Sequence, residues 1–89
     1  MVRREVRITD ELGLHARPAA QVAKLARKYR ARVFLKKGKQ TAEASSILDV
    51  LALACSKGTV LEILGEGEDA QEAVEALAKL LGGEADETP

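Results

Sequence analysis

Aromatic side chains are almost missing from this chain: Tyr29 and Phe34 are the only two, and there is no tryptophan. Core volume must therefore come from Leu, Val, Ile and Ala, and a base-stacking platform for single-stranded nucleic acid is disfavoured. Cys55 is the lone cysteine, which excludes an intrachain disulfide. His15 is the lone histidine, so no Cys/His set exists for zinc, and neither a metal nor a cofactor is expected. No apolar run approaches the roughly 18 residues of a membrane-spanning helix, and no membrane role is expected. The N-terminal "MVRREVRI" is basic but has no apolar core of a signal peptide. These absences lead to the expectation of a soluble cytoplasmic protein.

What remains is ample for folding. Hydrophobic residues make up 46% of 89 residues, which argues for a globular state. That length sets a limit of one domain, and its core must be well packed because small domains bury less of their surface. Net charge is zero but segregated. Residues 1–40 carry twelve Lys/Arg against three Asp/Glu, and residues 41–89 carry two against eleven. Either two solvated faces attract one another within the fold, or a basic surface around His15 docks an acidic partner. Nucleic-acid binding is the weaker reading and no nucleic-acid partner is expected, since an equally acidic half would repel phosphate.

The pattern along the chain changes period several times. "VRREVRIT" (residues 2–9) places Val2, Val6 and Ile8 on one parity and Arg3, Glu5 and Arg7 on the other. That alternation predicts a strand, with Arg4 out of pattern. "DELG" reads as a turn. From about Ala16 to Arg30, residues Ala19, Val22, Ala23, Ala26 and Tyr29 recur at three- and four-residue spacing, predicting an amphipathic helix. Two short strands follow around Lys37-Gly38-Lys39 as a hairpin. Val33 and Leu35 should face inward, and Phe34 the opposite way. "SSILDVLALACSKG" predicts a short helix from Ile47 to Leu53 or Ala54, capped by the preceding hydroxyls. "TVLEILGEG" predicts a strand with Leu61 and Ile63 inward and Glu62 outward. "EDAQEAVEALAKLLGG" predicts a helix with Asp69 and Glu72 at its positive end. Its buried stripe should be Ala70, Ala73, Val74, Leu77, Leu80 and Leu81, and Gly82-Gly83 should stop it. An acidic tail follows from about residue 84. The order is βαββαβα. Its economical packing is an α+β domain: one antiparallel sheet, three helices on one face, the other face open to water.

The candidate chemistry sits in "LGLHARPAAQVAKL" (residues 12–25). A helix start leaves amide donors unpaired, their dipoles add there, and phosphate is attracted. Pro18 suits the first turn, where its missing N–H costs least, and it biases Arg17 away from helical dihedrals. The helix therefore begins at Ala16 or only at Pro18. Either way His15 lies in the lead-in and Arg17 adds a permanent charge. Unprotonated imidazole is a nucleophile near neutral pH. The amides from Ala16 onward, with Arg17 and Pro18 at the same end, would stabilise a phosphoryl group on it.

"GLHARPAA" resembles the active-site segment of the HPr family, the histidine-containing phosphocarrier proteins of the bacterial phosphoenolpyruvate-dependent sugar phosphotransferase system. "SSILDVLALACSKGTVLEI" is similar to the family's second motif, and "GEDAQEAVEALAKLL" to its last helix. The resemblance covers about residues 2–82. It implies an open-faced β-sandwich of four antiparallel strands and three helices. It implies a carrier rather than a self-sufficient enzyme: His15 takes a phosphoryl group on Nδ1 from enzyme I and yields it to the A component of a sugar-specific enzyme II. Arg17 would be the phosphate-stabilising arginine, and Lys24 and Arg27 docking residues.

Ser46 stands where many family members carry a regulatory serine, which implies a serine kinase/phosphorylase and a transcription regulator as further partners. Its structural role is a helix N-cap, and Ser45 is a rival acceptor. Ile47, Leu48, Val50, Leu51 and Leu53 exceed what one face of two helical turns can bury. Leu48, with part of Ile47, should be exposed, and with Leu51 would form an apolar partner-binding patch. Asp49 departs from the basic or small residue common in the family. Cys55 should be buried filler. A monomer is expected. Two other functions stay open: a nitrogen-branch regulatory phosphocarrier, or a non-catalytic binding module acting through the Ser46/Leu48 surface.

Overall fold

Alternating residues become strands and periodic ones helices in the order β1 (Val2–Arg7), α1 (Ala16–Ala26), β2 (Arg32–Lys37), β3 (Gln40–Glu43), α2 (Ile47–Ala52), β4 (Val60–Glu66) and α3 (Ala70–Gly82). This computed structural model describes residues 1–82; Gly83 and the acidic tail expected from about 84 lie outside the described residues. The strands form one antiparallel sheet in the order β1-β4-β2-β3. β4 lies between β1 and β2, with Val6 opposite Leu61 on one side and Leu35 opposite Ile63 on the other. α3 packs on β1, β4 and β2, while α1 packs on α2 and α3. Among the described residues, no helix is long and apolar enough to cross a membrane.

The core follows from the aliphatic composition. Leu35, Leu61, Ile63 and Leu77 are fully buried, with Val22, Val50 and Val74. Small residues let the layers approach: an added methyl on Gly65 of β4 would sit 2.7 Å from Val74 Cγ2 of α3. Ala19, Ala23 and Ala26 line the buried side of α1.

The open face carries the charged parity. Glu62 lies opposite Glu5 and Lys36 in the ladder, and Arg3 Nη1 reaches Glu62 Oε2 at 3.4 Å. Phe34 is on this face but only half-exposed, because the Arg32 guanidinium lies 5.2 Å from its ring centroid. Arg4, out of pattern in the sequence, stays on the helix side. Its guanidinium meets Glu75 of α3 at 2.6 Å.

Three expectations need correction. α1 ends at Ala26, with Arg27 as C-cap, rather than at Arg30. The cause lies far along the chain: Asp69 accepts the Arg30 N–H at 3.0 Å and the Ala31 N–H at 2.8 Å, which draws the backbone into a turn. Asp69 thus ties two loops together as well as marking the start of α3. In α3, Leu80 is 37% exposed and Ala78 takes its place in the buried stripe. Gly82 is itself helical rather than a stop, and Gly83 lies outside the described residues.

The Asp69 tie gives a pH dependence of definite sign. Its pKa is lowered, first by the Arg30 backbone N–H and also by that of Ala31, against a smaller cost of desolvation. Its contribution is therefore fully present above the unfolded value, about pH 4. It is lost as pH falls through the lower folded value. Asp69→Ala should lower the urea midpoint at pH 7, and the gap from the parent should narrow toward pH 2. A gap of constant size would contradict this origin.

Candidate functional site

Residues 8–15 carry the chain from β1 to α1, and backbone bonds hold them at both ends. Ile8 N–H donates to Thr59 O at 2.9 Å and its carbonyl accepts Gly58 N–H at 2.8 Å. Leu14 N–H donates to Cys55 O at 2.8 Å. Gly13, at φ +74, passes so close to this neighbouring loop that a β-carbon would meet Cys55 O at 2.3 Å. Lys57 Nζ pairs with Glu11 Oε2 at 2.7 Å across the same gap, an exposed contact of small energetic weight. The apolar anchor is Leu14, which is buried.

His15 is the N-cap of α1, in extended backbone at φ −88 and ψ −168. Its carbonyl accepts the Ala19 N–H at 2.9 Å, while its side chain makes no capping bond. The helix therefore begins at Ala16, the earlier of the two boundaries. Helix geometry leaves the Ala16 and Arg17 N–H groups without intrahelical acceptors, and Pro18 has none to offer. No acidic residue stands in the first turn to neutralise that end. The imidazole keeps 34% of its side-chain surface exposed. It opens on a cleft of about 530 Å³ lined by Asp10, Glu11, Leu12, His15, Arg17, Pro18 and Gln21.

One member of this cleft was not singled out in the sequence. Asp10 Oδ1 lies 3.4 Å from His15 Nε2. The turn signal at 10–13 was legible, but a five-residue offset between Asp and His matches no regular period.

The other candidate residues divide. Lys24, on α1, and Arg27, its C-cap, are exposed. Arg17, Gln21 and Lys24, at spacings of four and three, form one row of α1 leading away from His15. Arg27 Nη2 reaches over to Ser45 O at 2.8 Å and joins α1 to the entry of α2. There Ser46 Oγ accepts the Asp49 N–H at 3.2 Å as the N-cap. Leu48 is 78% exposed, Ile47 and Leu51 are half-buried, and Val50 and Leu53 are buried. Cys55 is buried, and burial pushes its thiol pKa up despite the nearby Lys37. An unreactive packing role follows. Among the described residues, no group of three or more His, Cys, Asp and Glu could hold a metal ion.

Comparison with known proteins agrees with this arrangement. Residues 2–82 match the family model described as the PTS HPr component phosphorylation site. The phosphocarrier protein NPr of Shewanella violacea is 38% identical over 84 residues, covering 94% of this chain and 92% of that one. The HPr-like protein Crh of Bacillus subtilis is 41% identical over 78 residues, covering 88% and 92%. The crystal structure of the phosphocarrier protein HPr from Bacillus anthracis superposes with a TM-score of 0.86 at 39% identity, covering 90% of this chain and 95% of that one. Sheet order, helix placement and sequence thus converge, and the chain belongs to the HPr family of phosphocarrier proteins of the phosphotransferase system.

Proposed function

We propose that this chain carries a phosphoryl group on His15, taken from phosphorylated enzyme I and passed to the A component of a sugar-specific enzyme II. The observation that supports it best is an imidazole that makes no capping bond and is one-third exposed at the N-cap of α1, beside the spare amides of Ala16 and Arg17. A ring nitrogen with its lone pair needs no separate base to attack phosphorus. The amides and the Arg17 guanidinium stabilise the charge on the equatorial oxygens during transfer. Pro18 contributes geometry rather than a donor. The stabilisation must be moderate, since a group bound more tightly than its transition state would not be passed on.

Partner docking is assigned to the neighbouring surface. Lys24 and Arg27 supply positive charge, and exposed Leu48, with the accessible parts of Ile47 and Leu51, supplies apolar area. A charged rim around a small apolar centre suits transient association. Incubation with phosphoenolpyruvate and enzyme I should give an acid-labile phosphoryl group on the imidazole. Parallel rates with sugar-branch and nitrogen-branch enzyme I separate the two phosphocarrier roles, and the likeness to NPr makes that comparison pointed. No labelling by either would defeat the proposal.

Ser46 is assigned a second, regulatory phosphorylation by a serine kinase, because its hydroxyl lies two residues from exposed Leu48. A phosphate there adds negative charge to the docking face and opposes an acidic partner. The same oxygen has a structural duty as N-cap. Ser46→Ala should cost about 1 kcal/mol, or roughly 5 °C in Tm for a domain of this size. An unchanged Tm would show that the cap bond is not holding α2.

A further inference from the structure

We propose that Asp10 is a positioning residue for the His15 imidazole, facing its Nε2 side so that Nδ1 is presented to the incoming phosphoryl group. The inference rests on the reading of His15 as acceptor and adds a residue to it.

Asp10 is fixed before it meets the ring. Its Oδ1 accepts the Leu12 N–H at 2.9 Å, and its backbone carbonyl accepts the Gly13 N–H at 2.9 Å. This side-chain-to-backbone turn sets the carboxylate's direction. The same Oδ1 lies 3.4 Å from His15 Nε2. A carboxylate only accepts, so it favours the neutral ring form with its proton on Nε2 and its lone pair on Nδ1. The other charged groups lining the cleft are Glu11 on the same loop and Arg17 on α1. Glu11 is engaged by Lys57 from the loop ahead of β4. Asp10 is the carboxylate in contact with the ring.

The chemistry then needs no proton movement. The Nδ1 lone pair forms the new N–P bond as the donor's P–N bond breaks, and that electron pair stays on the donor's nitrogen. The ring is now bonded to phosphorus at Nδ1 and to hydrogen at Nε2, and it is cationic. Asp10 faces that N–H and offsets the charge. On onward transfer the P–Nδ1 electron pair returns to the ring. The starting tautomer is regenerated with its proton still on Nε2.

The test uses full-length protein labelled with 15N at histidine. The ring nitrogens report the tautomer ratio in the unphosphorylated state above the imidazole titration. Asp10→Ala should lower the share of the Nε2–H form about threefold, the modest effect expected of a partly exposed charge-assisted contact. Asp10→Asn keeps the acceptor for the Leu12 N–H, and therefore the turn, while removing the charge; it should fall between. Glu11→Gln should leave the ratio unchanged. In the phosphorylated state, Asp10→Asn should move the pH profile of phosphohistidine hydrolysis to lower pH by about half a unit. A ratio and profile equal to the parent's in both Asp10 variants overturn the proposal, as does an equal shift in Glu11→Gln. The tautomer measurement needs no phosphorylation. Failure of enzyme I to charge the parent protein would defeat the acceptor reading and leave the Asp10 contact standing or falling by its own result.

Discussion

His15→Ala should abolish phosphoryl acceptance from enzyme I while leaving the fold intact. The side chain makes no capping bond and is one-third exposed, so its loss should change stability by no more than about 0.5 kcal/mol. Function and folding are thereby separated in one variant. Arg17→Lys refines the test. Lysine keeps the charge but not the planar fork that meets two phosphoryl oxygens together. Acceptance should persist, with transfer slower by about tenfold or more. Charging of His15→Ala at the parent rate would remove the imidazole from the mechanism. A transfer rate unchanged in Arg17→Lys would reduce Arg17 to a point charge.

Gly13→Ala should be the most damaging small substitution in the site. At φ +74 an alanine is strained by about 1 kcal/mol. Its methyl would also meet Cys55 O at 2.3 Å and Ser56 Cα at 2.8 Å, backbone atoms that cannot rotate away. Relief requires the loops to separate, which breaks the Leu14 N–H to Cys55 O bond and exposes Leu14. The combined loss is about 3 kcal/mol, or roughly 15 °C in Tm. His15, two residues away, would move with the loop, so phosphoryl acceptance should fall in step. Gly38→Ala is the matched control. It shares a positive φ, +58, but its added methyl has nothing within 4 Å. It should lose only about 1 kcal/mol. Equal losses at the two sites would mean that backbone strain, and not the contact with the 55–56 loop, explains the effect.

Much of the architecture was legible in the sequence because local pattern and tertiary packing agree. The alternation in 2–9 and 60–66 and the Gly38 hairpin take the form expected of them, and the excess of apolar residues in 47–53 leaves Leu48 exposed as expected. Misreadings arose where a distant residue decides the outcome. The segment 27–30 has helical composition and no glycine to stop it, yet a carboxylate 38 residues beyond Ala31 captures the amides of Arg30 and Ala31. Leu80 has helical spacing but sits at the edge of the stripe, where neither sheet nor α1 covers it fully. In the candidate site, the helix-start logic placed His15 at the lead-in of α1 and Arg17 in its first turn, as the backbone has them. Asp10 escaped because its relation to the ring depends on how one turn folds back over a helix end.

The position of β4 in the sheet bears on how the molecule is made. β1 and β2 are not paired with each other; β4, the last strand among the described residues, pairs with both. A nascent chain that has emerged only as far as α2 holds a lone strand and a hairpin with no partner between them. Long-range closure of this kind slows folding relative to local topologies. The loop bearing His15 leans on Cys55 and Thr59 at the entrance to that final strand. The imidazole therefore takes its place at the helix end only once the chain leading into β4 has joined the fold.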